Sequence, residues 1–325
     1  MSVDRTDVGV VGVGSMGQHH ARVYDELPEA NLVGVADANE EVAADVASTY
    51  ETDARAVEDL LSSVDAVSIA VPTSHHESIV RRAIEQDVDV LVEKPIVADL
   101  DVGRSLLDQA RERDLVLQVG HIERFNPAVQ TLLDVVQDLD LIAVDARRLG
   151  PPLDRDLGDT VVYDLMIHDI DVLLKIVDAE VQSVEATGTQ EGQHITANVD
   201  FENDVVANLT ASRVTQQKVR DLSITAESCR VNVDYLDQSV EVHRHSLPEY
   251  VDADGDLRYR HESVIERPMV ESREPLKAEL EAFVDAVAER ATPPVTGEDG
   301  LRALEIAQEI DRRSAATEHR EMQPR

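Results

Sequence analysis

Residues 8–17 read VGVVGVGSMG and decide the fold of the first part of the chain. The run opens on valines and glycines, which is typical of a buried parallel strand, and a helix pattern follows it. A second strand candidate, 32–36, ends at Asp37, twenty residues after Gly17. A strand, a G-x-G-x-x-G turn, a helix and an acidic residue at this distance form the fingerprint of a dinucleotide-binding unit.

Each position of the turn has its own task in that fingerprint. Gly12 permits the tight turn, Gly14 lets a pyrophosphate approach the backbone, and Gly17 allows close helix packing. The N–H groups at the helix start would bind the phosphates, and Asp37 would accept hydrogen bonds from the adenosine ribose. Asp37 would repel a 2′-phosphate, which predicts NAD rather than NADP. The alternative is a glycine-rich turn without a ligand. The residues predicted to bind the cofactor here are Gly12, Gly14, Ser15, Met16, Gly17 and Asp37.

Hydrophobic patterning divides the chain in two. From residue 8 to residue 119, short apolar strands alternate with helix patterns, which predicts a parallel sheet covered by helices on both faces. Between residues 181 and 245 the period becomes two, which favours an open, mostly antiparallel sheet. Residues 250–268 are polar and irregular, and two helices close the chain. We expect an α/β protein with a Rossmann domain, a doubly wound parallel sheet, over 1–122 and a substrate-binding α/β domain over 123–325.

The composition is strongly acidic. Among 325 residues, Asp and Glu number 66 and Lys and Arg number 30, so the formal net charge is −36. Such a surface repels phosphate backbones, and we expect no nucleic-acid partner. Because the acids are spread along the chain and lysines are scarce, the composition favours a protein of an extreme halophile. The alternative is an acidic surface in a protein from a moderate environment.

Cysteine content and hydropathy indicate the compartment. The single cysteine, Cys229, excludes an internal disulfide and a cysteine-based zinc site. The N-terminal segment lacks a basic stretch followed by an apolar core, and no stretch approaches the ~20 apolar residues of a membrane span. We therefore expect a cytoplasmic protein without a membrane partner.

The tripeptide Glu93-Lys94-Pro95 follows the fifth strand candidate, at the strand ends where open α/β sheets bind ligands. Lys94 is one of only four lysines, and its ammonium would hydrogen-bond a substrate hydroxyl and ease its deprotonation. The alternative is a surface ion pair between Glu93 and Lys94. His76 follows the preceding strand and is a candidate for lining the same edge.

Asp164 and His168 stand four residues apart in a helix pattern, so they share a face. A carboxylate there fixes the imidazole tautomer and stabilises its protonated form, as a histidine general base requires. One alternative is a hydrogen bond on a helix face without catalytic function. Another is a metal site with Asp169 and Asp171, which the helix geometry disfavours because those two cannot both share the face of His168; we expect no metal.

Six stretches between about residue 8 and residue 308 resemble the glucose–fructose oxidoreductase/inositol dehydrogenase family of NAD(P)-dependent sugar oxidoreductases. They are VGVVGVGSMG, AVPTSHH, EKP, VGHIERFNP, YDLMIHDIDVL and PVTGEDGLRALEIA. The resemblance implies that Lys94 is the catalytic lysine and that Asp164 and His168 are the catalytic pair. It implies a second-domain sheet that often forms the oligomer interface, hence a homodimer or homotetramer. The residues that it implies along the nicotinamide side are Pro72, Thr73, Glu93, Lys94, Gln118 and His121.

Within this family, VGHIERFNP, GPP...RD.G and EPLKAELEAF resemble the subgroup that acts on UDP-N-acetylglucosamine. The resemblance implies NAD-dependent oxidation of the sugar 3-hydroxyl. The alternatives are a free-sugar or inositol dehydrogenase and a non-catalytic nucleotide-sensing regulator of the same fold.

Arginines are concentrated between the first domain and the Asp164 helix. The planar fork of arginine forms paired hydrogen bonds with phosphate oxygens, so this cluster favours a substrate with a diphosphate. The alternative is that these arginines pair with neighbouring aspartates. The cluster is Arg124, Arg147, Arg148 and Arg155, and its alternative partners are Asp145, Asp154, Asp156 and Asp159. The residues predicted to contact substrate are His121, Arg124, Arg148 and Arg155.

Overall fold

The computed structural model describes residues 5–152, 160–245, 249–253, 256–260 and 262–321. The chain forms two compact units. Unit 1 comprises residues up to Phe125 together with Arg273–Glu305, and unit 2 comprises Asn126–Ser272 and the residues from Ile306 onward. Among the helices of these described ranges, none combines the length and the apolar character needed to cross a bilayer.

Unit 1 is built on a six-stranded sheet in the order β3-β2-β1-β4-β5-β6. Every pair of neighbouring strands is parallel. This order reverses between β1 and β4, and ligands of such sheets bind at that point, outside the carboxyl ends of the strands. The predicted Rossmann sheet is confirmed. Its elements are β1 (Thr6–Val11), α1 (Ser15–Glu26), β2 (Ala30–Ala36), α2 (Glu40–Thr49), β3 (Asp53–Ala54), α3 (Val57–Leu61), β4 (Ala66–Ile69), α4 (His76–Glu85), β5 (Asp89–Glu93), α5 (Leu100–Glu112) and β6 (Leu117–Gly120).

Unit 2 is built on an eight-stranded sheet in the order β16-β13-β12-β11-β7-β10-β9-β8. All of its neighbouring strands are antiparallel except β7 and β10, so the expected mostly antiparallel sheet is confirmed. Its elements up to β10 are α6 (Pro127–Val136), β7 (Leu141–Leu149), α7 (Ile167–Val177), β8 (Val181–Thr189), β9 (His194–Phe201) and β10 (Val206–Ser212). Those that follow are β11 (Val219–Ala226), β12 (Arg230–Asp234), β13 (Ser239–His245), β14 (Glu249–Ala253), β15 (Asp256–Arg260) and β16 (Ser263–Glu266).

The stretch 250–268, expected to be irregular, contains regular structure. β14 pairs with β15 as an antiparallel hairpin, and β16 adds an edge strand to the large sheet beside β13. The side chains of β16 are all exposed, so neither face of this strand has to be apolar and its sequence carries no alternating pattern.

Two helices close the chain, α8 (Pro275–Glu289) and α9 (Gly297–Glu321). The sequence-based boundary at residue 122 assigned both to the second domain, whereas α8 belongs to unit 1. Its buried Leu280 and Phe283 lie in the same core cluster as Val8 and Val10 of β1. The amphipathic pattern of α8 was recognisable from the sequence, but such a pattern does not say which core the apolar face joins.

Candidate active site

In the G-x-G-x-x-G turn of unit 1, Gly12 and Gly17 have no space for a side chain, whereas Gly14 has. Gly12 has φ +85°, and a Cβ there would lie 2.7 Å from the carbonyl oxygen of Ala70. A Cβ on Gly17 would lie 1.7 Å from the carbonyl oxygen of Gly12, so α1 packs directly on the turn. A Cβ on Gly14 would meet no heavy atom within 4 Å. The turn thus leaves room for a ligand at Gly14, as the fingerprint requires.

The start of α1 is suited to an anion. Its N-cap, Gly14, has no side chain that could bond the first N–H groups, and the first turn contains no acidic residue. Gly14 and Ser15 are exposed. The first helix turn leaves N–H groups without intrahelical partners, and the helix dipole adds positive potential there. The turn therefore fits the diphosphate of a dinucleotide such as NAD.

Asp37 ties the second strand to this turn. Its Oδ2 accepts a hydrogen bond from the backbone N–H of Val13 at 2.8 Å, and its Oδ1 accepts one from Asn39 at 2.8 Å. Each carboxylate oxygen has a second lone pair, so a ribose hydroxyl can still donate to it. Asp37 therefore both fixes the backbone around the glycine turn and remains able to take the predicted ribose contact.

His76 is buried and acts on the backbone of two strand ends. Its Nε2 lies 2.8 Å from the carbonyl oxygen of Val71, and its Nδ1 lies 2.9 Å from that of Pro95. Burial lowers the pKa of His76, and the nearby carbonyls offset this only in part. His76 is 1% exposed, and the neutral ring donates its single N–H to one of these two carbonyls. Its place along the cofactor edge stays a prediction.

Glu93 and Lys94 lie at the end of β5 with an unexpected partner. The Nε2 of His20, a buried residue of α1, lies 3.2 Å from Oε1 of Glu93. Burial opposes ionisation of Glu93, but the hydrogen bond with His20 and the positive charges of His20 and Lys94 outweigh it and lower the pKa of Glu93. Oε2 of Glu93 also accepts a hydrogen bond from the backbone N–H of Lys94, 3.3 Å away. His20 lies three residues after Gly17, and no other sequence signal pointed to this contact.

The remaining predicted residues of unit 1 differ in access. Pro72 is exposed and Thr73 partly exposed, as a cofactor contact requires. Gln118 is fully buried and donates through Nε2 to the carbonyl oxygen of Glu279, 3.3 Å away. His121 is 1% exposed and Arg124 is 5% exposed, with Asp299 at 3.7 Å from the Arg124 guanidinium. All three side chains are therefore buried, and their contact with cofactor or substrate stays a prediction.

In unit 2, Asp164 and His168 lie where a π-helical turn, Val162–Met166, passes into α7. Between residues 161 and 174 every side chain is buried except Tyr163, Asp164 and His168. The helix thus presents the predicted pair on its accessible face, with Tyr163 beside it. A wide turn of this kind is frequent at functional sites, and no sequence signal announced it.

Asp164 has a partner that the sequence did not suggest. Nε and Nη2 of Arg213, the residue after β10, donate to Oδ2 of Asp164 at 2.9 and 2.5 Å. The two residues are 49 positions apart, so neither helical periodicity nor a local motif connects them.

The arginine cluster is used for ion pairs. Arg148 is 1% exposed and donates from Nε and Nη2 to both carboxylate oxygens of Asp169, at 2.9 and 2.8 Å. Arg147 is exposed and forms a fork with Asp221 across the sheet. Arg148 and Arg147 thus pair with Asp169 and Asp221, which the sequence did not suggest, and Asp145 adds a weaker charge interaction with Arg147. The contact of Arg148 with substrate phosphate stays a prediction. Arg155 lies outside the described residues.

The ion pair of Arg148 and Asp169 concerns one of the residues proposed as ligands in the alternative metal site. Asp169 lies on the buried side of α7 and is engaged by Arg148, whereas His168 lies on the accessible side. Within the described ranges, no group of three His, Cys, Asp or Glu side chains is placed to hold a metal ion.

The sequence matches two halves of one family. Residues 6–121 match the oxidoreductase family with the NAD-binding Rossmann fold, and residues 153–321 match the C-terminal alpha/beta domain of the same family. Among curated proteins, the UDP-N-acetylglucosamine 3-dehydrogenase of Acidithiobacillus ferrooxidans is 36% identical over 93% of this chain and 95% of its own length. The inositol 2-dehydrogenase of Rhizobium meliloti is 27% identical over 92% of this chain and 94% of its own.

Solved structures have the same fold as this chain. A crystal form of the Acidithiobacillus ferrooxidans UDP-N-acetylglucosamine 3-dehydrogenase superimposes with a TM-score of 0.88 at 33% identity, covering 96% of this chain and 99% of the other. GenD2 from gentamicin A biosynthesis, solved in complex with NAD, shares the fold with a TM-score of 0.81 at 21% identity, covering 97% of this chain and 95% of its own. The chain therefore belongs to the glucose–fructose oxidoreductase/inositol dehydrogenase family of oxidoreductases, with NAD as the cofactor of its Rossmann domain.

Proposed function

We propose that this protein is an NAD-dependent dehydrogenase that oxidises the 3-hydroxyl of UDP-N-acetylglucosamine. The observation that carries the reaction class is the accessible face of the helix in unit 2, where Asp164 and His168 stand out from an otherwise buried stretch. The observation that favours this substrate is the 36% identity, over nearly the whole chain, to a UDP-N-acetylglucosamine 3-dehydrogenase.

The proposed chemistry divides among three side chains. His168 takes the proton of the sugar hydroxyl, and Asp164 stabilises the imidazolium that forms. Lys94 donates a hydrogen bond to the hydroxyl oxygen and stabilises its developing negative charge. Bound NAD supplies the acceptor for the hydride that leaves the sugar carbon. Glu93, whose pKa is lowered by His20 and Lys94 despite its burial, places a carboxylate next to Lys94.

The substrate proposal rests on similarity rather than on the arginine cluster. Arg147 and Arg148 are engaged by Asp221 and Asp169, so they add no support for a diphosphate. The test compares kcat/KM with NAD for UDP-N-acetylglucosamine, free N-acetylglucosamine, glucose, xylose and inositol. Turnover of the nucleotide sugar should exceed that of every free sugar. Equal or faster turnover of inositol would favour the second candidate, an inositol dehydrogenase, which the 27% identity to an inositol 2-dehydrogenase supports.

The preference for NAD over NADP follows from Asp37. At an effective dielectric of 20, two unit charges 4 Å apart repel by about 4 kcal/mol, and partial exposure of Asp37 reduces this. Wild-type protein should bind NAD more tightly than NADP, and Asp37→Arg should shift the preference toward NADP. Titration calorimetry with both nucleotides measures this, and tighter NADP binding by the wild type would place the ribose contact elsewhere.

We also propose that the protein works in the cytoplasm of a salt-adapted organism, on the strength of its net charge of −36. Salt reduces the Debye length from about 10 Å at 0.1 M to about 3 Å at 1 M and so weakens self-repulsion of the folded state. The thermal midpoint should be higher in 1 M KCl than in 0.1 M KCl. A midpoint that does not change over this range contradicts the halophilic assignment.

The large sheet of unit 2 is proposed as the interface of a homodimer or homotetramer. On the face that carries Asn208 and Thr210 the side chains of β7 to β10 are mostly polar, but Val206 is exposed there, at 43%. Light scattering should give a dimer or tetramer mass in molar KCl, and Val206→Asp should lower it. A monomeric wild type contradicts this proposal.

A further inference from the structure

Arg213 is held in place by the strand ends around it. It follows β10, whose parallel neighbour β7 ends at Leu149. The backbone N–H of Arg213 donates to the carbonyl oxygen of Gln193 at 2.8 Å, and the N–H of Gly150 donates to the carbonyl oxygen of Ser212 at 2.9 Å. A Cβ on Gly150 would lie 3.5 Å from Nη1 of Arg213, an ordinary van der Waals distance, so the guanidinium lies close to the backbone of Gly150.

The contact with Asp164 is strong and only partly exposed. Both N–H donors of Arg213 end on the same oxygen, Oδ2 of Asp164. The side chains of Arg213 and Asp164 are 18% and 24% exposed, so water screens the pair less than it screens a surface ion pair. Charge-assisted bonds of this geometry fix the direction of a carboxylate.

A carboxylate that already accepts two N–H groups from a cation has less negative potential to offer an imidazolium. Arg213 therefore opposes the effect of Asp164 on His168.

We propose that Arg213 is a positioning residue of the proton-transfer pair, which fixes Asp164 and sets the pH range in which His168 is available as a base. The proposal rests on the proposed function, because it assigns His168 that role.

Other charged groups of unit 2 face the same helix. Tyr163 lies on the accessible face beside the pair, and the buried ion pair of Arg148 and Asp169 lies on the opposite side. Asp311 of α9 accepts a hydrogen bond from Thr160, which precedes the π-helical turn. The titratable and charged groups of this helix and of the described elements that contact it, α6, β7 and β10, are Asp134, Asp145, Arg147, Arg148, Tyr163, Asp169, Asp171 and Lys175, with Arg213 directly after β10.

The test is the pH profile of kcat/KM with NAD and UDP-N-acetylglucosamine. Arg213→Gln should move the acid limb to higher pH by about one unit, which corresponds to a tenfold tighter hold on the proton. It should also lower kcat, because Asp164 loses its fixed direction. Arg213→Lys keeps the charge without the fork, and its acid limb should lie between those of the wild type and Arg213→Gln.

The matched control is Arg312→Gln. Arg312 also forms a fork with a carboxylate, that of Glu309 on α9 in the same unit, but its side chain is 67% exposed. Its removal should leave the pH profile unchanged.

Two results would overturn the proposal. An acid limb at the wild-type position in a folded Arg213→Gln variant makes Arg213 merely structural. An increase in KM alone, with the profile unchanged, makes it a substrate contact. If Arg213→Gln fails to fold, Arg213→Lys carries the test, and a wild-type profile in that variant counts against the proposal. Failure of the proposed function differs, because then wild-type protein does not oxidise the nucleotide sugar.

Discussion

Asp37 and His76 of unit 1 are held in a different way from Asp164 and Asp169 of unit 2. In unit 1, Asp37 and His76 bond to backbone groups at the ends of neighbouring strands. In unit 2, Asp164 and Asp169 are held by arginine side chains, Arg213 and Arg148. Backbone partners are present whatever the side chains are, whereas a side-chain pair is lost with a single substitution. NAD binding at the strand ends of unit 1 should therefore survive single substitutions in unit 2 that disable proton transfer.

The largest expected effect is on kcat, and it should leave NAD binding by unit 1 unchanged. His168→Ala should lower kcat by about 10²- to 10⁴-fold, as loss of a general base does, while NAD binds with wild-type affinity. Lys94→Ala should lower kcat to a similar extent. Steady-state kinetics and NAD titration measure the two quantities, with His19→Ala, an exposed residue of α1, as the control. Full turnover by either variant shows that its assigned role is wrong.

Two adjacent arginines test how burial matters in unit 2. Arg148→Met leaves Asp169 buried without its fork and should cost about 3–5 kcal/mol of the free energy of unfolding. Arg147→Met removes a fork of the same kind whose arginine is 59% exposed, and should cost less than about 1 kcal/mol. Urea unfolding in molar KCl compares them. Similar costs for the two variants would mean that burial of the Arg148 pair does not govern its contribution.

Two glycines of the G-x-G-x-x-G turn provide a similar contrast in unit 1, between a tightly packed and an open position. Gly17→Ala places a methyl group against the backbone of Gly12 and should destabilise the fold by about 1–3 kcal/mol or more. Gly14→Ala meets no protein atom within 4 Å, so its thermal midpoint should equal that of the wild type while its affinity for NAD falls. A destabilised Gly14→Ala, or a Gly14→Ala that binds NAD normally, would refute the open position of the turn.

The smallest effect concerns pH and His76. Because burial lowers its pKa, the neutral ring stabilises the folded state above about pH 6.5, and this contribution is lost as the pH falls through the lowered value. The difference in the free energy of unfolding between wild type and His76→Gln should therefore shrink from pH 7 to pH 5. A constant difference over that window would show that the His76 ring does not titrate as its burial requires.

The sequence predicted the parts of the site that depend on local backbone. The G-x-G-x-x-G turn and Asp37 were recognisable because strand, turn and helix are contiguous, and their geometry follows from steric rules for glycine. Asp164 and His168 were recognisable from their spacing on one helix. Arg213, His20 and the partner of Arg148 were not, because each contact joins distant strands or helices through long side chains. Periodicity carries no information on which of many acids such a side chain meets.

In the fold, too, the local elements were predictable from sequence and their packing partners were not. Alternation of strands and helices predicted the order of elements in unit 1, whereas the placement of α8 depended on a choice between two cores that its apolar face does not encode. Burial of Gln118 and His121 likewise depends on the helices packed over the strand ends.

The proposed reaction is tested most directly with UDP-N-acetylglucosamine that carries deuterium at C3. If the sugar 3-hydroxyl is oxidised, the deuterium moves to the nicotinamide, and mass spectrometry should detect singly deuterated NADH with the sugar reduced in mass by the lost deuterium and hydroxyl proton. His168→Ala should form the same product more slowly. Reduction of NAD to undeuterated NADH, with deuterium retained in the oxidised sugar, would contradict oxidation at this position.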